Sequence, residues 1–280
     1  MLRETLGIMR DLPRLREITS VFIRHGLGDV VQRSGVAAVF ERAGEILHLG
    51  ATADALRLEP AERARLALEE LGPTFVKLGQ VLATRVDVFP YRWITEFEKL
   101  HSEVPPVPFE ELRPELEHAL GKSPFEVFPD LDTRAHGSAS IAQVHRAKLA
   151  DGTPVVLKIR RPGIRQKISA DLRILRHIAE LLESELPETR RYRPTEIAAQ
   201  FSRSLTRELD FSVEARSIER FAKNFTDHPH IVIPRIYAER SNETLLVQEH
   251  VEGVPATDLA AVEAAGLDKK VLAARGCESV

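Results

Sequence analysis

Three groups of residues in this 280-residue chain have types and spacings suited to holding a phosphorylated ligand. The first is the run Gly137-Ser138-Ala139-Ser140-Ile141-Ala142-Gln143-Val144-His145. Small side chains let backbone N–H groups approach a phosphate closely, and the two serine hydroxyls add donors. The second is Lys158, at the end of the apolar run Pro154-Val155-Val156-Leu157, where an ammonium group suits the α/β-phosphates of a nucleotide. The third is the segment Arg207-Glu208-Leu209-Asp210-Phe211-Ser212-Val213-Glu214. Taken as part of one continuous helix, it puts Asp210 and Glu214 about 40° apart on one face, with Glu208 pointing elsewhere. A carboxylate on that helix could pair with Lys158 and hold it against a nucleotide.

Each signal has a plainer reading beside it. A small-residue turn is often only a turn. A strand lysine is often a solvated edge residue, and a helical acid often pairs with a nearby arginine. Two further signals are equally two-sided. Val76-Lys77-Leu78-Gly79-Gln80 places Lys77 and Gln80 three residues apart on one helical face. Gly79 within that apolar helix costs about 1 kcal/mol against Ala, which implies close packing or a bend. The alternative is a snorkelling lysine beside a packing glycine. Leu245-Leu246-Val247-Gln248-Glu249-His250-Val251-Glu252-Gly253 is an apolar strand entering an acidic turn, with backbone groups that could meet the edge of a flat ring.

The elements that must position these residues follow from periodicity and punctuation. Pro60 and nearby acids open a helix that Gly72-Pro73 ends. Thr74 to Arg85, Tyr91 to Leu100 and Phe109 to Leu120 are amphipathic helices. Val104-Pro105-Pro106-Val107-Pro108 is a stiff extended connector. After Gly121 the pattern changes. Ile141 to Leu149 and Pro154 to Arg160 suit strands, joined by the hairpin signal Ala150-Asp151-Gly152. A long helix over Ile164 to Leu186 and a second over about Thr195 to Asn224 come next. Strands near Ile231 to Glu239 and Thr244 to Val251 flank a Ser241-Asn242-Glu243 turn, and a last helix begins near Ala256. The fold class is therefore α+β, an antiparallel sheet with helices on one side.

Composition narrows the setting. Hydrophobic residues at 43% and charged residues at 29% are ordinary for a soluble globular protein with a sizeable core. A net charge of −3 gives no overall pull toward nucleic acid. The single cysteine, Cys277, cannot form an internal disulfide and fits a reducing compartment. Met1 to Thr5 do not open a signal peptide, and no run approaches the roughly 18 apolar residues of a membrane span. The expected location is cytoplasmic. Between Lys158 and His177, however, lie Arg160, Arg161, Arg165, Lys167, Arg173 and Arg176 but only one acid, Asp171. Such a run is either a solvated helix face or an attraction for phosphates or an anionic membrane surface.

The order of these motifs resembles the UbiB/AarF/ADCK family of atypical protein kinase-like proteins, from about residue 60 to residue 255. Leu71-Gly72-Pro73-Thr74-Phe75-Val76-Lys77-Leu78-Gly79-Gln80 is similar to that family's K-x-G-Q helix. Thr84-Arg85-Val86-Asp87, Phe89-Pro90 and Val104-Pro105-Pro106 also follow its pattern. Gly137 to His145 resembles its Ala-rich nucleotide loop, and Arg160-Arg161-Pro162-Gly163 its ending for the third strand. Glu208-Leu209-Asp210 matches its E-x-D motif, and Glu214 falls at its αC glutamate.

The resemblance implies a protein-kinase-like N-lobe over 123–253, preceded by a helical extension over 1–122. Residues 254–280 would begin a C-lobe that is almost entirely missing. It implies that ATP is the cofactor, bound by Lys158 at the α/β-phosphates with Glu214 holding the lysine. Gly137, Ser138, Ala139, Ser140, Ile141, Ala142 and Gln143 would cover the nucleotide. Backbone groups of Glu249 and Val251 would meet the adenine, with Gln248 as gatekeeper. Lys77 and Gln80 would face the phosphates, with Glu208 the partner of Lys77, so that a peptide substrate is excluded. ATPase activity, or phosphorylation of a small or lipid-linked substrate, is then expected over protein phosphorylation.

Two departures qualify this. Gly137-Ser138 stand where the family commonly has alanines, which loosens the loop. After Gly253 no H-x-D or D-F-G follows, so the Mg ligands would lie in the missing lobe, and both tight Mg-ATP binding and phosphoryl transfer by the chain alone would be severely impaired. The expectation is the N-terminal part of a UbiB-like atypical kinase or ATPase serving ubiquinone (isoprenoid quinone) biosynthesis. Its partners would be a nucleotide and lipid or quinone-pathway proteins, with room for peripheral membrane contact and no nucleic acid. The alternative is an inactive short binding or regulatory module of the same fold.

Overall fold

A computed structural model describes residues 11–29, 55–101 and 104–278. The expectations for Met1–Thr5 and for Ser279-Val280 lie outside the described residues. In chain order the elements are α1 (Leu12–Arg24), α2 (Pro60–Leu71), α3 (Pro73–Ala83), α4 (Tyr91–Phe97), α5 (Phe109–Leu120) and α6 (Pro124–Val127). Next come β1 (Gly137–Ser138), β2 (Ala142–Lys148), β3 (Pro154–Arg160), α7 (Ile164–Glu185), α8 (Pro194–Glu208) and α9 (Phe211–Asn224). Then follow β4 (Leu245–Glu249), α10 (Leu259–Ala264) and α11 (Lys269–Glu278). They form two compact units that interleave along the chain. The first takes in the described residues up to Pro105, with Ser138–Ile141 and Arg161–Arg207. The second takes in Pro106–Gly137, Ala142–Arg160 and the described residues from Glu208 onward.

In the first unit, Gly72 ends α2 at φ 92°, a conformation open to glycine, and Pro73 starts α3 at once. The core joins Leu15, Ile18 and Val21 of α1 to Leu68, Leu71, Phe75, Val76 and Phe97 of α2–α4, with Ile174 of α7. Gly79 settles in favour of close packing. A Cβ there would lie 2.2 Å from Leu100 Cδ1 and 2.9 Å from Leu68 Cδ1, and both leucines are buried. Gly79→Ala is therefore expected to destabilise the chain. Overpacking costs about 1–3 kcal/mol, which exceeds the gain of about 1 kcal/mol in helix propensity. A urea midpoint equal to or above the parent's would show that the leucines yield.

One buried carboxylate ties three helices of this unit together. Asp171 of α7 is fully buried. It accepts from Arg14 Nε at 2.6 Å, from Arg14 Nη2 at 3.2 Å and from Thr74 Oγ1 at 2.6 Å. Arg14 Nη2 also donates to the Leu71 carbonyl at 2.8 Å, just before the α2–α3 elbow. Burial works against the Arg14 charge, yet its bonds to Asp171 and Glu17 prevail and raise its pKa. Asp171 is thus the internal anchor among the basic residues around it. Within that run, Lys158, Arg173 and Arg176 have acidic partners of their own in Glu214, Asp11 and Glu180.

The second unit is built on the sheet, in the order β1-β2-β3-β4. β2 and β3 pair antiparallel with Val144 opposite Lys158, and β3 and β4 pair antiparallel with Lys158 opposite Leu246. The hairpin turns at Gly152, φ 85°, where Asp151 Oδ1 accepts the Thr153 N–H at 2.9 Å. Strand alternation sends Val155, Leu157 and Ile159 to one face, against Phe109, Leu112 and Leu116 of α5. Val156, Lys158 and Arg160 take the other face, where α9 brings Phe211 and Glu214 to Lys158. Helices therefore cover both faces, where the sequence predicts one side.

Three predicted elements change, and the simplest is the last helix, expected from near Ala256, which is two, α10 and α11. The single helix over Thr195 to Asn224 is two, because Asp210 is extended (φ −112°, ψ 97°) and its side chain caps α9 by accepting from Ser212 N–H at 3.0 Å. Asp210 and Glu214 are thus the cap and first turn of one helix, and Glu208 ends another. The predicted strand near Ile231 to Glu239 reduces to a short contact with β4. Tyr237 N–H donates to Val247 O at 2.9 Å and Glu249 N–H to Arg235 O at 2.8 Å. Pro234 has no N–H with which to extend that ladder. The resulting α+β unit has the architecture of a protein-kinase-like N-lobe. Among the described residues no helix is long and apolar enough to cross a membrane.

Candidate functional site

Lys158 and Glu214 meet as the sequence predicts. Lys158 Nζ donates to Glu214 Oε1 at 2.8 Å and to Oε2 at 2.7 Å. It also lies 5.0 Å from the centroid of the buried Phe211 ring, a cation–π contact that fixes the lysine from below. Both charged side chains keep about a third of their surface, 31% for Lys158 and 39% for Glu214. An ion pair this exposed contributes only about 0–1 kcal/mol to folding. Its consequence is positional: the ammonium is aimed and remains open to an incoming anion.

The pair is held by residues outside it. Asp210 starts α9 one turn before Glu214, and a glutamate in that first turn also complements the helix dipole. Arg160, two residues from Lys158 and on the same face, donates from Nη1 to the Leu209 carbonyl at 3.1 Å. Phe211 N–H donates to Glu243 O at 3.2 Å. The α8–α9 break is therefore fastened to the end of β3 and to the turn before β4. Arg160 enters the sequence reading only as part of a strand ending and of a basic run, not as a site residue. Its period-two spacing from Lys158 is the signal that places it on the site face.

The loop residues divide. Ser138, Ala139, Ser140 and Ile141 belong to the first unit, while Gly137, Ala142 and Gln143 belong to the second. Gln143 is buried and its amide is committed. Oε1 accepts the Val107 N–H at 2.9 Å, while Nε2 donates to Val107 O at 3.1 Å and to His145 Nε2 at 3.0 Å. In the register, Gln143 faces Ile159 and His145 faces Leu157, on the side of the sheet opposite Lys158. Gln143 can therefore meet a nucleotide only through its backbone.

The same network fixes a histidine. His145 Nδ1 donates to Asp132 O at 2.9 Å, which leaves Nε2 as the acceptor for Gln143, a pattern only the neutral ring supports. Burial pulls the His145 pKa below its ordinary value. The unfolded chain then binds more protons than the folded one as the pH falls below the ordinary histidine range. Stability from this group is complete above that range and is lost as pH drops through the folded value. Urea midpoints taken from about pH 7.5 to 5.5 should fall, by at most about 1.4 kcal/mol per pH unit, and His145→Gln should flatten that slope. An identical slope in the variant would assign the effect elsewhere.

At the end of β4, the Glu249 N–H is committed to Arg235 O, and its carboxylate accepts the Arg235 N–H at 3.1 Å. What Glu249 offers a ring is its carbonyl. Val251 is 48% exposed. Gln248 pairs across from Val156. Lys77 and Gln80 lie on α3 in the first unit, where Gln80 Nε2 donates to Leu100 O at 3.0 Å. Glu208 lies at the start of the second unit's last segment.

Comparison with known proteins gives consistent matches. The family model described as the ABC1 atypical kinase-like domain matches residues 99–280. The chain is 40% identical over 222 residues to the "Probable protein kinase UbiB" of Marinobacter nauticus, covering 79% of this chain and 41% of that protein. It is 35% identical over 271 residues to the protein of the same name from Sodalis glossinidius, covering 97% of this chain and 50% of that protein. It is also similar to Rv3197 of Mycobacterium tuberculosis, solved as a complex with erythromycin. That likeness has 26% identity and a TM-score of 0.48, covering 81% of this chain and 53% of the other. The chain thus spans about half the length or less of these curated relatives.

Proposed function

Because the chain belongs to the ABC1 atypical kinase-like family, we propose that it is the nucleotide-holding part of a UbiB-type atypical kinase or ATPase. The observation that carries this reading is the bidentate Lys158–Glu214 pair, set over Phe211 and left open to solvent. On this reading the Lys158 ammonium meets the α/β-phosphates of ATP, and Glu214 keeps it from swinging into solvent. Backbone N–H groups of the Gly137-to-Gln143 loop cover the phosphates, and the Glu249 carbonyl with Val251 meets the adenine. The process served is ubiquinone (isoprenoid quinone) biosynthesis, as the relatives' shared UbiB name suggests. The partners are lipid or quinone-pathway proteins met at the cytoplasmic face of a membrane.

The test is a thermal melt of the chain with ATP at millimolar concentration. A rise in melting temperature is expected. A chain indifferent to ATP would remove this reading and leave the non-catalytic binding module.

A further inference from the structure

Arg161 directly follows β3 and takes no part in the Lys158–Glu214 arrangement. Its backbone N–H donates to Ile141 O at 2.9 Å. Its side chain donates from Nε to Ala139 O at 2.9 Å, and from Nη2 to Pro105 O at 2.9 Å and Ser138 Oγ at 2.6 Å. All of these residues belong to the first compact unit. One residue therefore grips the small-residue loop at Ser138, Ala139 and Ile141 and fastens it to the proline-rich connector.

The bonds have a directional consequence. In a trans peptide the C=O and N–H point opposite ways. Holding the Ala139 carbonyl therefore turns the Ser140 N–H away from Arg161 and blocks a flip of that peptide. There is an electrostatic consequence too. Each acceptor is a neutral oxygen, so none of them neutralises the guanidinium. Burial draws its pKa below the ordinary value, yet an arginine stays charged at neutral pH. A partly desolvated cation of this kind favours the approach of an anion.

We infer that Arg161 is a positioning residue for nucleotide phosphate, which fixes the peptide orientation of the Ser138–Ile141 loop and lends it positive charge. This rests on the nucleotide-holding function proposed above. Lysine could supply the charge but not the fork that reaches Ala139, Pro105 and Ser138 together.

The experiment is an equilibrium titration of the full chain with ATP, ADP and adenosine, with amide hydrogen exchange of Ser138–Ile141 measured in parallel. The proteins are wild type, Arg161→Ala, Arg161→Lys and Lys158→Ala. Arg161→Ala should weaken ATP and ADP about ten-fold, leave adenosine unchanged and speed exchange in the loop. Arg161→Lys should recover little of the ATP affinity. Unchanged ATP affinity in Arg161→Ala, while Lys158→Ala loses it, would overturn the role of Arg161 alone. Equal losses for ATP and adenosine would reduce Arg161 to a structural residue and also overturn it. A wild-type chain that binds no nucleotide would remove the proposed function and this role with it.

Discussion

Lys158→Ala is expected to abolish the stabilisation of the chain by ATP while leaving its stability without ATP almost unchanged. The two halves of that expectation have different causes. Lys158 and Glu214 are each about a third exposed, so their ion pair contributes little to folding. Charge-assisted bonds to phosphate are the stronger kind, and Lys158 is the ammonium that Glu214 and Phe211 hold in place on the α9 face of the sheet. Stabilisation by a ligand follows its affinity through mass action, so if Lys158 is the main phosphate contact, as proposed, its removal removes the shift. Melting curves with and without ATP check both halves. A full ATP shift in the variant would make Lys158 an ordinary surface lysine. A large loss without ATP would show that the pair is structural.

Asp171→Ala should have the opposite signature, a large loss of stability with no direct link to nucleotide. The carboxylate is fully buried and receives Arg14 and Thr74 together. Removing it leaves the Arg14 guanidinium in a largely buried place without its main partner, and breaking such a pair typically costs about 3–5 kcal/mol. The urea midpoint of the variant measures this. Should the variant fail to fold, the double change Arg14→Leu with Asp171→Leu supplies the second arm. Replacing both partners by apolar groups recovers much of the loss when the cost comes from an orphaned charge. A single variant within about 1 kcal/mol of the parent would contradict the anchoring of α1, α3 and α7 through this residue.

Several elements were legible because local chemistry and tertiary setting agree. Phe109–Leu120 and Pro154–Arg160 have the bounds that periodicity and punctuation predict. The Lys158–Glu214 pair needs only the strand, the helix and the family spacing. Gly79 could be read as packed because glycine in an apolar helix has few other reasons to be there. Elsewhere the period misled. Apolar spacing continues from α8 into α9, and nothing in it marks that Asp210 will cap a new helix. Ile231 to Glu239 has strand composition, but Pro234 limits pairing to a few residues. Gln143 sits in the small-residue motif, yet strand alternation turns its amide to the Val107 side. Asp171 drew attention only as the one acid in a basic run, and Arg161 only as part of that run and of a strand ending. Their partners, Arg14 and Pro105 among them, lie far away in sequence.

The nucleotide-holding role is tested most directly by an acyl-phosphate derivative of ATP, which acylates a lysine amine lying against the phosphates. After brief labelling of the full chain, the modified residue is found by peptide mass spectrometry. Labelling concentrated on Lys158, suppressed by added ATP and reduced when Glu214→Ala releases the lysine, is the expected result. Labelling spread over the surface lysines and indifferent to ATP would contradict it.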